Sequence, residues 1–262
     1  MKKKINTIKI TFLGTGTSTG VPVLACECEV CCSEDTKNKR LRTSALVEVD
    51  GSKYVIDCGP DFRQQMLENN VKDFDAILIT HAHHDHVAGI DDIRAYNFLL
   101  NKKFDVFSSV DTLDNIKLQF QYIFSPGTYK GAPQLNFKTV GNEAFHIGDN
   151  IILPIQVNHD TLKVLGFRIG GLVYITDAKF VPESEIPKLM YAKVMVINAL
   201  RRSSHNSHLS LDEALALIDR VKPDAAYITH MSHQMGLHED VEKILPPNVH
   251  LAYDGLKVDI VS

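Results

Sequence analysis

The run Phe74-Asp75-Ala76-Ile77-Leu78-Ile79-Thr80-His81-Ala82-His83-His84-Asp85-His86 decides how the chain folds. Ala76 to Thr80 carries no charge and is rich in Ile and Leu, the pattern of a short buried strand. The strand ends in a burst of ligand side chains. His81, His83, Asp85 and His86 put imidazoles and a carboxylate side by side, and a core does not accept that much desolvated nitrogen unless a cation neutralises and orders it. A solvated His-rich loop binding metal loosely is the alternative. The position directly after an apolar strand speaks against it.

The same ending recurs along the chain. Leu78-Ile79-Thr80-His81, Tyr174-Ile175-Thr176-Asp177 and Tyr227-Ile228-Thr229-His230 are apolar runs closed by Ile-Thr and a potential ligand, with Val157-Asn158-His159 and Val55-Ile56-Asp57 as looser versions. In sheets flanked by helices, functional groups gather where strands stop, so these separate stops can converge on one crevice.

The chain has 262 residues, 44% hydrophobic and 23% charged, ordinary for a globular protein. Strands and helices interleave in both halves with no linker or low-complexity tract, so residues 1–262 are expected to form one domain. A net charge of −4 gives no basic footprint for nucleic acid, and none is expected as a partner. The basic run Lys2 to Lys4 sits at a terminus, where solvation is the default. No segment reaches the roughly 18 apolar residues of a membrane span, and no apolar h-region follows the Met-Lys-Lys-Lys start. A cytoplasmic protein without membrane attachment is expected. Of five cysteines, four crowd into Cys26 to Cys32, which suits thiolate ligation in a reducing compartment better than a disulfide framework. The oligomeric state is open, a homodimer included.

Ile5 to Leu13 reads as an opening strand, broken by the polar loop Gly14-Thr15-Gly16-Thr17-Ser18-Thr19-Gly20. Its spacing fits neither the dinucleotide fingerprint nor the P-loop. Close approach of backbone to the crevice, or simple turn formation, is expected instead. Ser44–Val49 and Lys53–Asp57 form a hairpin about Asp50-Gly51. Helices are expected over Asp61–Asn69, Asp91–Leu100, Val110–Phe124 (stopped by Ser125-Pro126-Gly127), Pro182–Met190 and Ser210–Val221, the last opened by a capping box of Ser210 and Glu213. Strands are expected over Phe104–Val106, Leu135–Val140, Ile151–Val157, Val164–Ile169, Leu172–Thr176, Lys193–Leu200, Ala225–Thr229, Val249–Ala252 and Leu256–Val261.

His81-Ala82-His83-His84-Asp85-His86, followed by His159, Asp177 and His230, resembles the metallo-β-lactamase superfamily in ligand identity and order over essentially the whole chain. The resemblance implies an α/β (α+β) fold, a four-layer αββα sandwich of two mixed sheets with outer helices, and two metal ions at one sheet edge. By the same resemblance His81, His83 and His159 hold one ion, Asp85, His86 and His230 the other, and Asp177 bridges them. A carboxylate suits that bridge because both its oxygens carry lone pairs. Oxygen-rich sites suit zinc or manganese. His84 falls between ligands. Asp57 resembles the family residue that orients a ligand histidine, with helix capping as the alternative.

Cys26-Glu27-Cys28-Glu29-Val30-Cys31 with His233-Gln234 resembles, within that superfamily, the cyclic-ribose-phosphate phosphodiesterases of the carbon–phosphorus lyase pathway. That likeness implies a structural zinc on Cys26, Cys28, Cys31 and His233, a closed tetrahedral site. Cys32 could replace His233, and His230 with His233 could chelate one ion. Cys58 reads as a small buried hydrophobe. In the Arg201-to-Ser210 segment the likeness implies a histidine acid at the leaving group, His208 or else His205. Arg201 or Arg202 could grip a phosphate oxygen. The function so implied is a dimetal phosphodiesterase on small cyclic phosphates or nucleotide-like diesters, with His208, Asp85 and Asp177 as its catalytic side chains and hydroxide between the ions as nucleophile. A tRNA 3′-end nuclease, a thioesterase or lactonase on the same metals, and a metal-binding accessory factor without turnover are the alternatives.

Overall fold

The computed structural model describes residues 7–125, 127 and 130–261. The Lys2–Lys4 run, the expected strand start at Ile5 and Pro126 lie outside the described residues. One sheet contains β1 (Thr7–Gly14), β2 (Ser44–Val49), β3 (Ser52–Ile56), β4 (Ala76–Leu78), β5 (Phe104–Ser108) and β6 (Leu135–Thr139). The other contains β7 (Phe145–Ile147), β8 (Asn150–His159), β9 (Leu162–Ile169), β10 (Leu172–Tyr174), β11 (Val194–Asn198), β12 (Ala225–Thr229) and β13 (Val249–Leu251). The last strand, β14 (Lys257–Val261), returns to the edge of the first, giving the orders β14-β1-β2-β3-β4-β5-β6 and β13-β12-β11-β10-β9-β8-β7. Each sheet is antiparallel on one side and parallel on the other, β3 and β10 being the strands where the direction changes.

Period-two alternation builds the layers. Along β1 to β4, Ile10, Phe12, Val47, Tyr54, Ile56 and Leu78 point inward and meet Phe167, Tyr174 and Val196 of the second sheet. The alternate residues Leu46, Val55 and Ile77 point outward, beneath the helices Phe62–Glu68, Ile93–Leu100 and Val110–Gln119. The second sheet does the same, with Val157, Val173, Met195 and Ile197 under the helices Ile186–Leu189 and Leu211–Val221. Helix, sheet, sheet, helix is the arrangement expected from the resemblance.

Two expected helices differ, and one strand is unexpected. The helix over Val110–Phe124 breaks at Phe120, whose φ of −114° and ψ of 44° are not helical. The helix over Pro182–Met190 shrinks to Ile186–Leu189, because Pro187 fits only a first turn and the Glu185 carboxylate is drawn away to the Gln156 amide. The strand β7 goes unanticipated, since its three residues, Phe145-His146-Ile147, are too few to set an apolar alternation apart from the polar segments on either side.

The capping box at Ser210 is present: the Ser210 hydroxyl accepts from the Glu213 amide at 3.4 Å, and Glu213 accepts from the Ser210 amide at 2.7 Å. Ser210→Ala at fixed metal loading is expected to cost about 1 kcal/mol. Urea unfolding checks it, a midpoint unchanged within error being the contrary result.

Candidate metal centre

Every strand stop named above opens onto one crevice. His81 follows β4, His159 ends β8, Asp177 follows β10 and His230 follows β12. At three of these corners the chain turns sharply with a non-glycine residue in the left-handed region: Asp57 (φ 60°), Asp177 (φ 56°) and His230 (φ 57°). That turn swings the side chain off the sheet edge and into the cleft.

Two ligand groups result, His81 with His83 and His159, and Asp85 with His86 and His230, each group's ligand atoms lying within 4.8 Å of one another. Asp177 stands between them. Its Oδ2 is 3.3 Å from His86 Nε2 and its Oδ1 is 3.2 Å from His230 Nε2.

Each buried imidazole is held by one nitrogen so that the other faces the crevice. His86 Nδ1 donates to Asp57 at 2.7 Å, His159 Nδ1 donates to the Ser207 carbonyl at 2.7 Å, His81 Nδ1 lies 3.0 Å from the Thr80 hydroxyl, and His230 Nδ1 lies 3.2 Å from that of Thr43. Asp57 also accepts from the Thr80 amide and hydroxyl, so its carboxylate is consumed by positioning and caps no helix. The side chain of Asn198 clasps the backbone of Ala178 at both its amide and its carbonyl, pinning the residue after Asp177. In two of the three Ile-Thr endings the threonine has a task of its own: Thr80 serves Asp57, and Thr176 donates to Asp177 at 2.7 Å, whereas the Thr229 hydroxyl is buried without a partner among the described residues.

The donor set fits divalent cations. His86 Nε2 is fully buried with no hydrogen-bond partner, aimed between Asp85 and Asp177. Burial opposes a charge on His86, yet Asp177, Asp57 and Asp85 outweigh it and hold that imidazole well above its ordinary pKa, so the field here favours a cation. Burial pushes His81 well below its ordinary value and His230 down to about 4, leaving neutral rings with a lone pair to give. For Asp177 burial acts upward, but His230 and His86 hold the carboxyl well below the usual range.

His208 Nε2 sits 3.1 Å from Asp177 Oδ1, and its ring stacks on His230 with centroids 5.0 Å apart. His205 lies behind it, its Nδ1 accepting from the Ser207 amide. Arg201 holds Gln234 Oε1 and the Ser204 carbonyl, and Arg202 holds the Met235 carbonyl, so both guanidinium groups brace their loop against the segment after His230. His84 is exposed.

A second cluster lies apart from the first. His233 Nδ1 is 3.2, 3.3 and 3.5 Å from the sulfurs of Cys26, Cys28 and Cys31. Zinc bonds of ordinary length in a tetrahedron put nitrogen and sulfur about 3.5 Å apart, so the set fits a closed zinc site. The Cys28 thiol is drawn down to about 6, first by the Cys31 backbone amide. Cys32 is exposed and outside the cluster, and Cys58 is fully buried.

Sequence reasoning missed Thr17, Thr43 and the Ser207 carbonyl. Thr17 and Thr43 reach His230 across more than 180 residues of sequence, a contact that no local pattern announces. A polar loop around glycines was the available signal. A Cβ on Gly14 would fall 2.0 Å from the Arg42 carbonyl oxygen, so only glycine lets the loop dock there and carry Thr17 to the crevice.

Two facing mixed sheets, outer helices and a His/Asp cluster at the strand ends define an αββα sandwich with a centre able to hold metal ions. A sequence profile for the beta-lactamase superfamily domain matches residues 52–231. The chain belongs to the beta-lactamase superfamily. It is 34% identical to a solved structure described as a new diphosphatase from the PhnP family, with a TM-score of 0.89 over 96% of this chain and 97% of that one. It is 38% identical over 256 residues to an octanoyltransferase of Porphyromonas gingivalis, covering 97% of this chain but 52% of that protein, so it spans about half the length of that relative. Zinc-bound PqqB from Methylobacterium extorquens shares the fold, with a TM-score of 0.75 at 17% identity over 96% of this chain and 100% of that one. Among the described residues no helix is long and apolar enough to cross a membrane.

Proposed function

We infer that this protein hydrolyses small phosphodiesters, cyclic ribose phosphates and related diphosphate esters among them, with two zinc or manganese ions in the strand-end crevice and one structural zinc on the cysteine cluster. The observation that carries this reading is the His208 imidazole beside Asp177 at the edge of both ligand groups. His81, His83 and His159 would hold one ion, Asp85, His86 and His230 the other, and Asp177 both. Bound divalent ions supply Lewis acidity, which activates water and offsets charge building on phosphoryl oxygen.

Protonation of the departing oxygen falls to the chain. To act as that acid His208 must carry a proton on both ring nitrogens: Nδ1, 3.0 Å from the Ser207 hydroxyl, then donates to that oxygen, and Nε2, which faces the crevice, gives its proton to the departing oxygen and leaves a neutral imidazole. His208→Ala is expected to lower kcat by roughly 10²- to 10⁴-fold on a cyclic ribose phosphate, with metal content unchanged. The loss should be much smaller on bis(p-nitrophenyl) phosphate, whose leaving group departs without a proton. Equal activity of variant and parent on the ribose substrate would remove His208 from the reaction.

Beside His83 a groove of about 510 Å³ lies between the helix Val110–Gln119 and the β8–β9 hairpin, lined by Ser109, Asp111, Asn115, Gln119, Gln156 and Lys163 among others. Its size suits a sugar phosphate. Lys163, which has no ion-pair partner among the described residues, is positioned to meet a second phosphate. Lys163→Ala is expected to raise KM for substrates with a second phosphate about tenfold with little change in kcat, and steady-state kinetics on substrate pairs with and without that group reads it.

Acyl thioester or lactone hydrolysis on the same metals is the second reading, kept because the Porphyromonas gingivalis relative, of which this chain covers 52%, bears the name of an acyl-group enzyme. Octanoyl thioesters belong in the same substrate panel. Turnover of these with none of the phosphate esters would replace the first reading.

A further inference from the structure

The Gly14–Gly20 loop does more than approach the crevice. Thr17 is buried, only 6% exposed, and its hydroxyl lies 3.3 Å from His230 Nε2, the nitrogen that faces the ligand group. A divalent ion bound at that group claims the Nε2 lone pair. The Thr17 hydroxyl would then lose its side-chain partner while staying buried at the rim of the site, an arrangement that favours a new acceptor there.

The backbone that carries the hydroxyl is held at several points. The Thr17 amide donates to the Met231 carbonyl at 3.0 Å, the Met231 amide to the Thr15 carbonyl at 2.9 Å, and the Thr43 amide to the Gly16 carbonyl at 2.9 Å. Thr17 is thus clamped between the strand-end segment carrying His230 and the one carrying Thr43. Beyond it the chain closes a tight turn, the Gly20 amide donating to the Thr17 carbonyl at 2.8 Å with Gly20 at a φ of 64°. The amides of Ser18 and Thr19, inside that turn, have no acceptor among the described residues.

We propose that Thr17 is a substrate-contacting residue: its hydroxyl, supported by the turn it opens, donates to a non-bridging oxygen of the phosphoryl group. The role rests on the phosphoesterase reading. It requires a donor fixed before the substrate arrives, which the clamped backbone provides.

Zinc-loaded protein, Thr17→Val and Thr17→Ser are compared in three measurements: metal per chain by elemental analysis, calorimetric affinity for inorganic phosphate, and kcat on a cyclic ribose phosphate. Valine keeps the shape and removes the hydroxyl, whereas serine keeps the hydroxyl. The expected result is full metal content in all three, phosphate affinity and kcat each at least about tenfold lower in Thr17→Val, and both restored to within a few-fold in Thr17→Ser. Unchanged phosphate affinity in Thr17→Val overturns the proposal, and so does loss of metal from that variant, which would make Thr17 a support for His230 alone. If the parent protein itself neither binds phosphate nor cleaves any phosphate ester, the phosphoesterase reading has failed, a result separable from a parent that does both and a valine variant that matches it.

Discussion

Asp177→Asn is expected to strip both ions from the strand-end crevice and to abolish turnover. The carboxylate meets His86 Nε2 through Oδ2 and His230 and His208 through Oδ1, while Oδ2 also accepts from Thr176. An amide keeps one acceptor and turns an NH₂ group on the other side toward a nitrogen lone pair. The variant also removes the negative charge that favours a cation beside His86. Loss of an outer partner to a metal ligand already costs roughly 10- to 100-fold in affinity, so loss of a ligand shared by two groups should exceed about 100-fold. Elemental analysis after dialysis against trace zinc is the measurement. Retention of the parent's metal content would remove Asp177 from the centre, and the two-ion reading with it.

The second large effect belongs to the cysteine cluster. Cys31→Ser is expected to release one equivalent of zinc and leave the strand-end centre loaded. Cys31 is buried with Val21 and Val30 in a small satellite core, and its sulfur accepts from the Val23 amide, so an ion bound there would hold the same loop as the packing. The cost is expected at about 3–5 kcal/mol, part of what a structural zinc contributes to a domain that depends on it wholly. At this chain length that lowers the melting temperature by roughly 10 °C. Limited proteolysis should then cut between Val21 and Arg40 before any other region. Release of all the zinc together, or of none, would show that the two clusters are not independent sites of this kind.

Much of this was legible in the chain because ligand chemistry is written locally. His81 to His86 is a continuous motif, and the Ile-Thr endings mark strand stops by apolar content and β-branching. The capping box at Ser210 is equally local. What stayed hidden depends on tertiary contact. Nothing in the sequence says that Thr43 will stand behind His230, or that Arg42 will tie the Gly-rich loop, through the Ser18 carbonyl, to Asp61. Asp61 looked like an ordinary helix opener, yet its carboxylate takes the Arg42 guanidinium and amide and leaves the helix uncapped. Arg201 and Arg202 resembled free cations for the same reason: the carbonyls that occupy them come from residues 204 and 235 and exist only once the loops are folded.

The left-handed corners at Asp57, Asp177 and His230 carry a consequence for how this molecule breathes. Residues with a Cβ are disfavoured there by about 1–2 kcal/mol each, so without ions three rim peptides sit in a spring-loaded state. A captured cation would latch all three at once, since Asp177 and His230 belong to the groups able to hold it and Asp57 grips His86. Amide exchange at these corners should therefore slow sharply when metal is added, while the centres of β2 and β11 exchange at an unaltered pace.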